Sequence, residues 1–496
     1  MLPAGIQQGL TGCVYFYLLL IMILYRFLYS IFVGVYLSLL RLASLWNPKA
    51  RLWVDGRKGI FTSLKRDFEN ETCPIIWMHC ASLGEYEQGR PLLEKLKIIY
   101  PGHKILLTFF SPSGYTAVKG NDVADYIYYL PFGNRLVASR FLSYTKPALV
   151  LWIKYDYWFY YLDELKKRST PLLLISGNFQ KWQAFFKWYG KMHRKMLQCF
   201  THLFVQTRYS KSLLNKIGFA DNVTISGDTR FDRVIEISGR FEPIEIVEKF
   251  CGSDKVIVVG SSWTEDEEEL DHFANVNPDI KFIIAPHEID EEHLKDIEKL
   301  FKKSVRYSVL QMAETRTDET MADDRGPMVE NPDKTMEEGT ANGHQSSDIG
   351  HRSSDIVSSD IGHQSSAIGH RPTANVLIID NIGMLSRLYK YATITYVGGG
   401  FGQDGVHNVL EAAVYGKPVV FGPVFNKYIE AIELLEEGGA YTIETALELE
   451  KVFNDLFSDH QLYVEVCEAA RRYVYSKKGA TEKIIQYIHE KRLLTN

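Results

Sequence analysis

Glu85 lies between an apolar run, 75–80, and a helical stretch, 86–99. A carboxylate at that junction stands where open α/β sheets hold ligands, outside the carboxyl ends of the strands. It can take a proton from an incoming hydroxyl. It can also simply stabilise the helix end through the dipole. His79, Ser82 and Gly84 precede it within six residues. A second group falls between 397 and 423. There an apolar run, 394–397, reads as a buried strand and is followed by five glycines between Gly398 and Gly405. The spacing then predicts a helix over 408–415, closed by Gly416 and Pro418. Strand, glycine loop and helix N-terminus together suit an anion, because glycine lets a phosphate approach the backbone and free N–H groups favour negative charge. Asn408 can cap that helix, and Glu411, one turn in, can accept ribose hydroxyls. An ordinary tight turn uses the same glycines; His407-Asn408-x-x-Glu411 moves the reading toward a site.

Alternating apolar runs and helical stretches must position these residues. Runs at 75–80, 105–109, 148–153, 171–176, 203–206 and 223–226 read as strands, with helices over 86–99, 135–144 and 160–168. A second series runs through 256–260, 282–285, 376–380, 393–397 and 419–421. Such alternation means parallel sheets covered by helices on both faces. The simplest account is two Rossmann-like halves joined near 235–255. The predicted division is 1–46 as an N-terminal membrane segment, 47–240 as the first domain and 241–496 as the second, with 308–373 as an insertion.

A chain of 496 residues is too long for one core. Its net charge of −5 argues against a general nucleic-acid binder. The six cysteines, Cys13, Cys73, Cys80, Cys199, Cys251 and Cys467, form no C-x-x-C pair. Neither a zinc site nor a disulfide framework is indicated.

From 13 to 40 the sequence is almost wholly apolar, with Arg26 its only charge. That length can span a bilayer, but a central Arg is costly there. A helix lying in the interface is the competing reading. The basic residues that follow, Arg41 to Arg66, place the rest of the chain in the cytoplasm.

The stretch 308–373 is polar and poor in aromatics, and it repeats Ser-Ser-Asp-Ile-Gly-His in several forms. His344, His351, His363 and His370 invite a metal reading. A low-complexity insertion unable to bury enough surface to fold is the stronger one.

Residues 79–85, His-x-x-Ser-x-Gly-Glu, resemble the signature of the 3-deoxy-D-manno-octulosonic acid (Kdo) transferases of lipopolysaccharide synthesis. The resemblance continues in family order through 108–114, Tyr129-Leu130-Pro131, Trp158, Gln206-Thr207, 227–232, Gly260-Ser261-Ser262 with Glu267-Glu268, 381–385 and 398–426. It implies the GT-B architecture, two Rossmann-like domains facing a cleft, with an N-terminal membrane-associated helix. It implies transfer of Kdo from CMP-Kdo to a lipid A precursor with inversion, Glu85 serving as general base. The donor would meet Ser261, His287, Gly399, Gly400, His407, Asn408 and Glu411. His79, Ser82, Gly84, Ser113 and Asp156 would serve the acceptor or the transition state. No metal or cofactor and no nucleic-acid partner is implied, and the site of action is the inner membrane, with the catalytic domains on the cytoplasmic side.

The chain departs from the pattern in three places. Lys154 stands where many members have the first acid of Glu-x-Glu, while Asp156 keeps the second. Ala285-Pro286-His287 lacks the usual Arg. Arg230 replaces a common Lys, which keeps the charge and changes the geometry. Another GT-B nucleotide-sugar transferase, or an inert membrane-anchored scaffold, are the alternatives.

Overall fold

The computed structural model describes residues 4–120, 122–154, 156–323 and 374–495. Its first domain is a seven-stranded sheet of β1 (Ile75–Cys80), β2 (Lys104–Phe109), β3 (Tyr126–Tyr129), β4 (Pro147–Ile153), β5 (Leu172–Gly177), β6 (His202–Val205) and β7 (Val223–Ile225). The order is β3-β2-β1-β4-β5-β6-β7, and every pair is parallel. All six side chains of β1 are buried. A central parallel strand covered on both faces has no solvent side, so its sequence is a continuous run and not an alternation.

The second domain repeats the plan with β8 (Lys255–Ser262), β9 (Ile280–Pro286), β10 (Ser304–Arg306), β11 (Val376–Ile378), β12 (Ile394–Val397), β13 (Val419–Phe421) and β14 (Ala440–Thr442). Their order is β10-β11-β9-β8-β12-β13-β14. Two parallel sheets, each sandwiched by helices, are the α/β GT-B architecture expected. Strands β3, β10 and β14 escape a reading based on apolar runs. They are three or four residues long and largely half-buried, so they carry little hydrophobic signal.

Lys154, at the end of β4, Ser176 in β5 and Ser261 in β8 have φ of 52°, 54° and 53°. Left-handed backbone costs a non-glycine residue roughly 1–2 kcal/mol. All three positions lie at the carboxyl ends of strands, where strain held by the surrounding fold marks functional sites.

The last helix, Ala480–Glu490, returns to the first domain. Ile484, Ile488 and Leu494 bury themselves with Ile76, Leu107 and Leu151 in one cluster, and Tyr487 packs on His202 with ring centroids 4.2 Å apart. Asp232 caps the helix by accepting from Gly479 N at 2.6 Å and Thr481 N at 2.7 Å. Sequence order groups these residues with the second domain; their burial groups them with the first.

The N-terminal helix, Ala4–Ala43, is docked along one stripe. Tyr29 meets Phe159 and Tyr160 edge-on at 5.7 and 5.2 Å, and its hydroxyl accepts from Phe159 N at 3.2 Å. Val33 is 3% exposed. Tyr36 packs on Phe132 at 5.5 Å. Arg26 pairs with Asp163 at 3.5 Å, which gives the charge a partner on the globular domain. The opposite stripe, including Phe27, Ile31, Phe32, Val35 and Leu39, is exposed. The segment Leu24–Ala43 is long and apolar enough to cross a membrane by length and composition.

The first residues of the stretch 308–373 are described. Residues 307–323 form a helix, Tyr307–Asp323. Ser308 N donates to Asp380 at 3.0 Å, and Lys249 reaches Glu314 at 2.9 Å. Tyr307 and Leu310 join the second core, and that burial holds a segment whose polar composition suggested none. Residues 324–373, with the four histidines, lie outside the described residues.

Candidate active site

Glu85 is the third residue of the helix Leu83–Ile99, which springs from β1. Its Oε2 accepts from Ser82 N at 3.0 Å and from Ala81 N. The helix-end role and a place at the strand end are therefore combined in one residue. Burial, then the neighbouring Asp156, push its carboxyl up to about 7, against the help of the two amides and Lys154. A carboxylate poised near neutrality suits a general base. Gly84, one position earlier, is exposed, and a Cβ there would meet nothing within 4 Å. The protein itself does not require a glycine at that point.

His79 is fully buried on β1, beneath the site. Its Nδ1 lies 2.9 Å from Thr108 Oγ1, which also receives Trp77 Nε1 at 2.8 Å. The Trp N–H occupies one Thr lone pair, so the Thr hydroxyl is free to donate to His79. Its Nε2 lies 3.9 Å from Asp156 Oδ2. Burial lowers the imidazole pKa. His79 Nε2 thus faces Asp156 from the core, beyond hydrogen-bond distance. Ser113 is exposed in the first turn of the helix after β2, its Oγ 2.7 Å from that of Ser111.

Asp156 lines a cleft cavity of about 1230 Å³ between the domains, as do Lys154 and Arg230 from the first domain and Asn426, Tyr428 and Glu430 from the second. Arg230 donates to Asp228 at 2.8 and 2.9 Å and across the cleft to Glu430 at 2.6 Å. Lys154, half-buried, lies near Asp228, Arg230, Glu430 and Glu85, and desolvation lowers its pKa.

In the second domain the glycine loop is packed against its own fold. A Cβ on Gly398 would lie 2.4 Å from Ser261 O, and one on Gly400 would lie 2.5 Å from Gly422 N. Gly399 N already donates to Asp266 at 2.8 Å. Close backbone packing is thus one requirement for these glycines, and the Gly399 amide is engaged. The expected helix over 408–415 is a single turn, Leu410–Ala413. Asn408 Oδ1 accepts from Leu410 N at 3.3 Å, and Nδ2 donates to Glu411 at 2.9 Å. Glu411 has a raised pKa from burial, and it feels Glu87 and Arg233 on the first domain's helices. So short a helix contributes little dipole.

Beside the loop, three rings assemble. Trp263 Nε1 donates to His407 Nε2 at 3.1 Å. His287 stacks on both, with centroids 4.6 Å from Trp263 and 4.5 Å from His407. Burial and the nearby His287 bring the His407 pKa down to about 4, so the ring is neutral at physiological pH. Because its Nε2 accepts, its proton sits on Nδ1, a neutral donor. Among the described residues no group of three or more His, Cys, Asp or Glu side chains is arranged to hold a metal ion.

Residues 55–233 match the family model described as 3-deoxy-D-manno-octulosonic-acid transferase (kdotransferase). The chain is 25% identical over 413 residues to the 3-deoxy-D-manno-octulosonic acid transferase of Aquifex aeolicus, covering 80% of this chain and 91% of that one. It is 21% identical to the Haemophilus influenzae enzyme of the same name, over 94% of this chain and 98% of that one. The chain is thus similar to Kdo transferases, over its first domain in the family model and over most of its length in these relatives.

A bifunctional glycosyltransferase/methyltransferase of Fusobacterium nucleatum is 24% identical over 80% of this chain, but this chain spans only 56% of that protein. In fold, the chain resembles the UDP-GlcNAc 2-epimerase of Neisseria meningitidis, with a TM-score of 0.53, 15% identity, and coverage of 84% of this chain and all of that one.

Two residues of this candidate site escape sequence reasoning. Trp263 forms the platform under His287, and Asp266, fully buried, ties Gly399 N, Trp263 N and Tyr396 OH together. Their signal was a Trp and an acid directly after Gly260-Ser261-Ser262. The structure brings Glu85, Asp156 and His79 together at one strand end. Ser261, His287, Gly399, Gly400 and His407 gather around the other sheet, and Asn408 with Glu411 follows them. Lys154, noted only as a departure, lies in the cleft itself.

Proposed function

We propose that this protein transfers Kdo from CMP-Kdo to a lipid A precursor with inversion at the anomeric carbon. Glu85 takes the proton from the acceptor hydroxyl as that oxygen attacks the anomeric carbon, and the bond to the CMP phosphate breaks with its electron pair leaving on the phosphate. The observation that carries this reading is the Glu85 carboxyl at the end of β1, held near neutrality beside a cleft that both domains line. A base with that pKa is substantially ionised at physiological pH and still basic enough to accept the proton.

The stacked Trp263, His287 and His407 beside the glycine loop offer a flat surface for the cytosine and a neutral Nδ1–H donor for the donor's polar groups. Asn408 and Glu411 serve the ribose and phosphate. Lys154 and Arg230 place cationic character in a cleft that must take acidic sugars. The apolar N-terminal helix holds the enzyme to the inner membrane, with both domains on the cytoplasmic side. Mass spectrometry of a lipid A precursor incubated with the protein and CMP-Kdo tests this. A product heavier by Kdo residues supports the assignment. Unchanged acceptor, with turnover of a UDP-sugar instead, overturns it.

A further inference from the structure

The cleft cavity has a mixed lining. Lys154, Asp156 and Arg230 supply charged groups, and Phe32, Trp182 and Met192 supply apolar surface. At about 1230 Å³ it exceeds the roughly 300–1,000 Å³ of a site for one small molecule. Phe32 belongs to the N-terminal helix, so that helix is a wall of the cavity as well as an apolar segment. Phe32 is 52% exposed and Trp182 72%, and the open stripe of the helix, Phe27, Ile31 and Val35, continues from Phe32.

The 182–192 loop is built to hold one shape. Arg194 donates to Phe185 O at 2.9 Å and Lys187 O at 3.0 Å. A Cβ on Gly190 would lie 1.8 Å from Ala184 O, so no other residue fits. Trp188, next along this loop, is 91% exposed. A constrained loop with two exposed tryptophans, one of which lines the same cavity as Phe32, leaves apolar surface in water unless a ligand or membrane covers it.

We propose that the N-terminal helix and the 182–192 loop form a groove for an acyl chain of the acceptor, running from the membrane surface to the charged groups of the cleft. The inference rests on the glycolipid reading of the acceptor above and adds which residues take its lipid part. The ligand's polarity matches the cavity's: headgroup toward Asp156 and Lys154, hydrocarbon toward Phe32 and Trp182. The helix is then part of the substrate site.

The test uses full-length protein in detergent micelles, where membrane anchoring gives no advantage. Phe32→Ser and Trp182→Ser are compared with the wild type on an acylated lipid A precursor and on its de-acylated form. The ratio of kcat/KM for acylated over de-acylated acceptor should fall tenfold or more, through KM. An unchanged ratio in both variants overturns the groove. In parallel, a glucosamine phospholipid carrying a diazirine in one acyl chain is photo-cross-linked to the wild type and mapped by mass spectrometry. Cross-links at 27–35 and 182–192 support the groove even if no Kdo is transferred, in which case the functional reading alone fails. Cross-links confined to other surfaces overturn it whatever the activity.

Discussion

Arg230 and Glu430 lie 200 residues apart in sequence, yet Nη1 of the first meets Oε1 of the second at 2.6 Å across the cleft. Glu430 is 4% exposed, and Arg230 also holds Asp228. Removing the cation leaves two carboxylates without their partner. Arg230→Met should therefore destabilise by about 3–5 kcal/mol, the cost of breaking a buried pair. Glu430→Gln keeps a polar acceptor and should cost less. Chemical denaturation of both variants measures the difference; equal, small losses would show that the pair contributes no more than a surface contact.

Glu85→Gln preserves shape and removes the base. Turnover should fall about 100-fold or more, while CMP affinity stays close to that of the wild type, because the role proposed for the residue is on the acceptor. Single-turnover kinetics and calorimetry check the two halves. Near-normal turnover would remove Glu85 from the mechanism.

The pH profile carries its own signature. With the carboxyl at about 7 and the ionised form required, kcat/KM should fall as pH drops below 7. Asp156→Asn removes a charge that raises this pKa, so the midpoint should move to lower pH. Lys154→Met removes a cation that lowers it, so the midpoint should move higher. Folding shows the linked effect. The folded state holds the Glu85 proton more tightly than the ordinary 4.5, so this stabilisation is present below 4.5 and lost as pH rises through 7. Glu85→Gln should lack that component in pH-dependent denaturation.

Asn408 donates to Glu411 and accepts from Leu410 N. Asn408→Ala or Glu411→Ala should weaken CMP binding by about 1–3 kcal/mol, the cost of leaving a buried polar group unpaired. Titration calorimetry that finds unchanged affinity in both variants would move the nucleotide elsewhere.

Two truncations separate anchor from wall. Cutting before Leu24 keeps Tyr29, Val33 and Tyr36 against the first domain, and activity on detergent-dispersed acceptor should persist. Cutting after Trp46 removes that docked stripe. It should cost on the order of 2–5 kcal/mol, as loss of large buried side chains does, and most activity in detergent as well. Thermal unfolding and detergent assays of both forms distinguish them; equal behaviour would make the docked stripe dispensable.

Glu85 and the long buried strands were legible because their chemistry is local. An acid between an apolar run and a helix is visible in a short stretch of sequence, and a two-face-buried strand is a continuous apolar run. The link from Arg230 to Glu430 was not, since it depends on two domains meeting. The glycine loop was read as an open phosphate cradle, but tertiary packing against Ser261 and Gly422 is itself a reason for Gly398 and Gly400. Arg26 looked like a fault in a spanning helix; its partner Asp163 is too distant in sequence to be seen. Lys154 was visible only as a departure, and its place in the cleft gives it a setting.

The return of Ala480–Glu490 to the first domain affects the order in which the protein is completed during synthesis. Ile484, Ile488 and Leu494 fill space against strands made some 400 residues earlier. While the ribosome is making the second domain, the first has its sheet but lacks the side chains that close one face. The second domain, apart from this crossing helix, can finish while the first still lacks the side chains that complete this cluster. The half that begins first is the half completed last, and it is the one carrying the exposed apolar helix. The newborn chain thus carries two incomplete apolar surfaces on the same domain, the kind of transient exposure that favours association with other molecules.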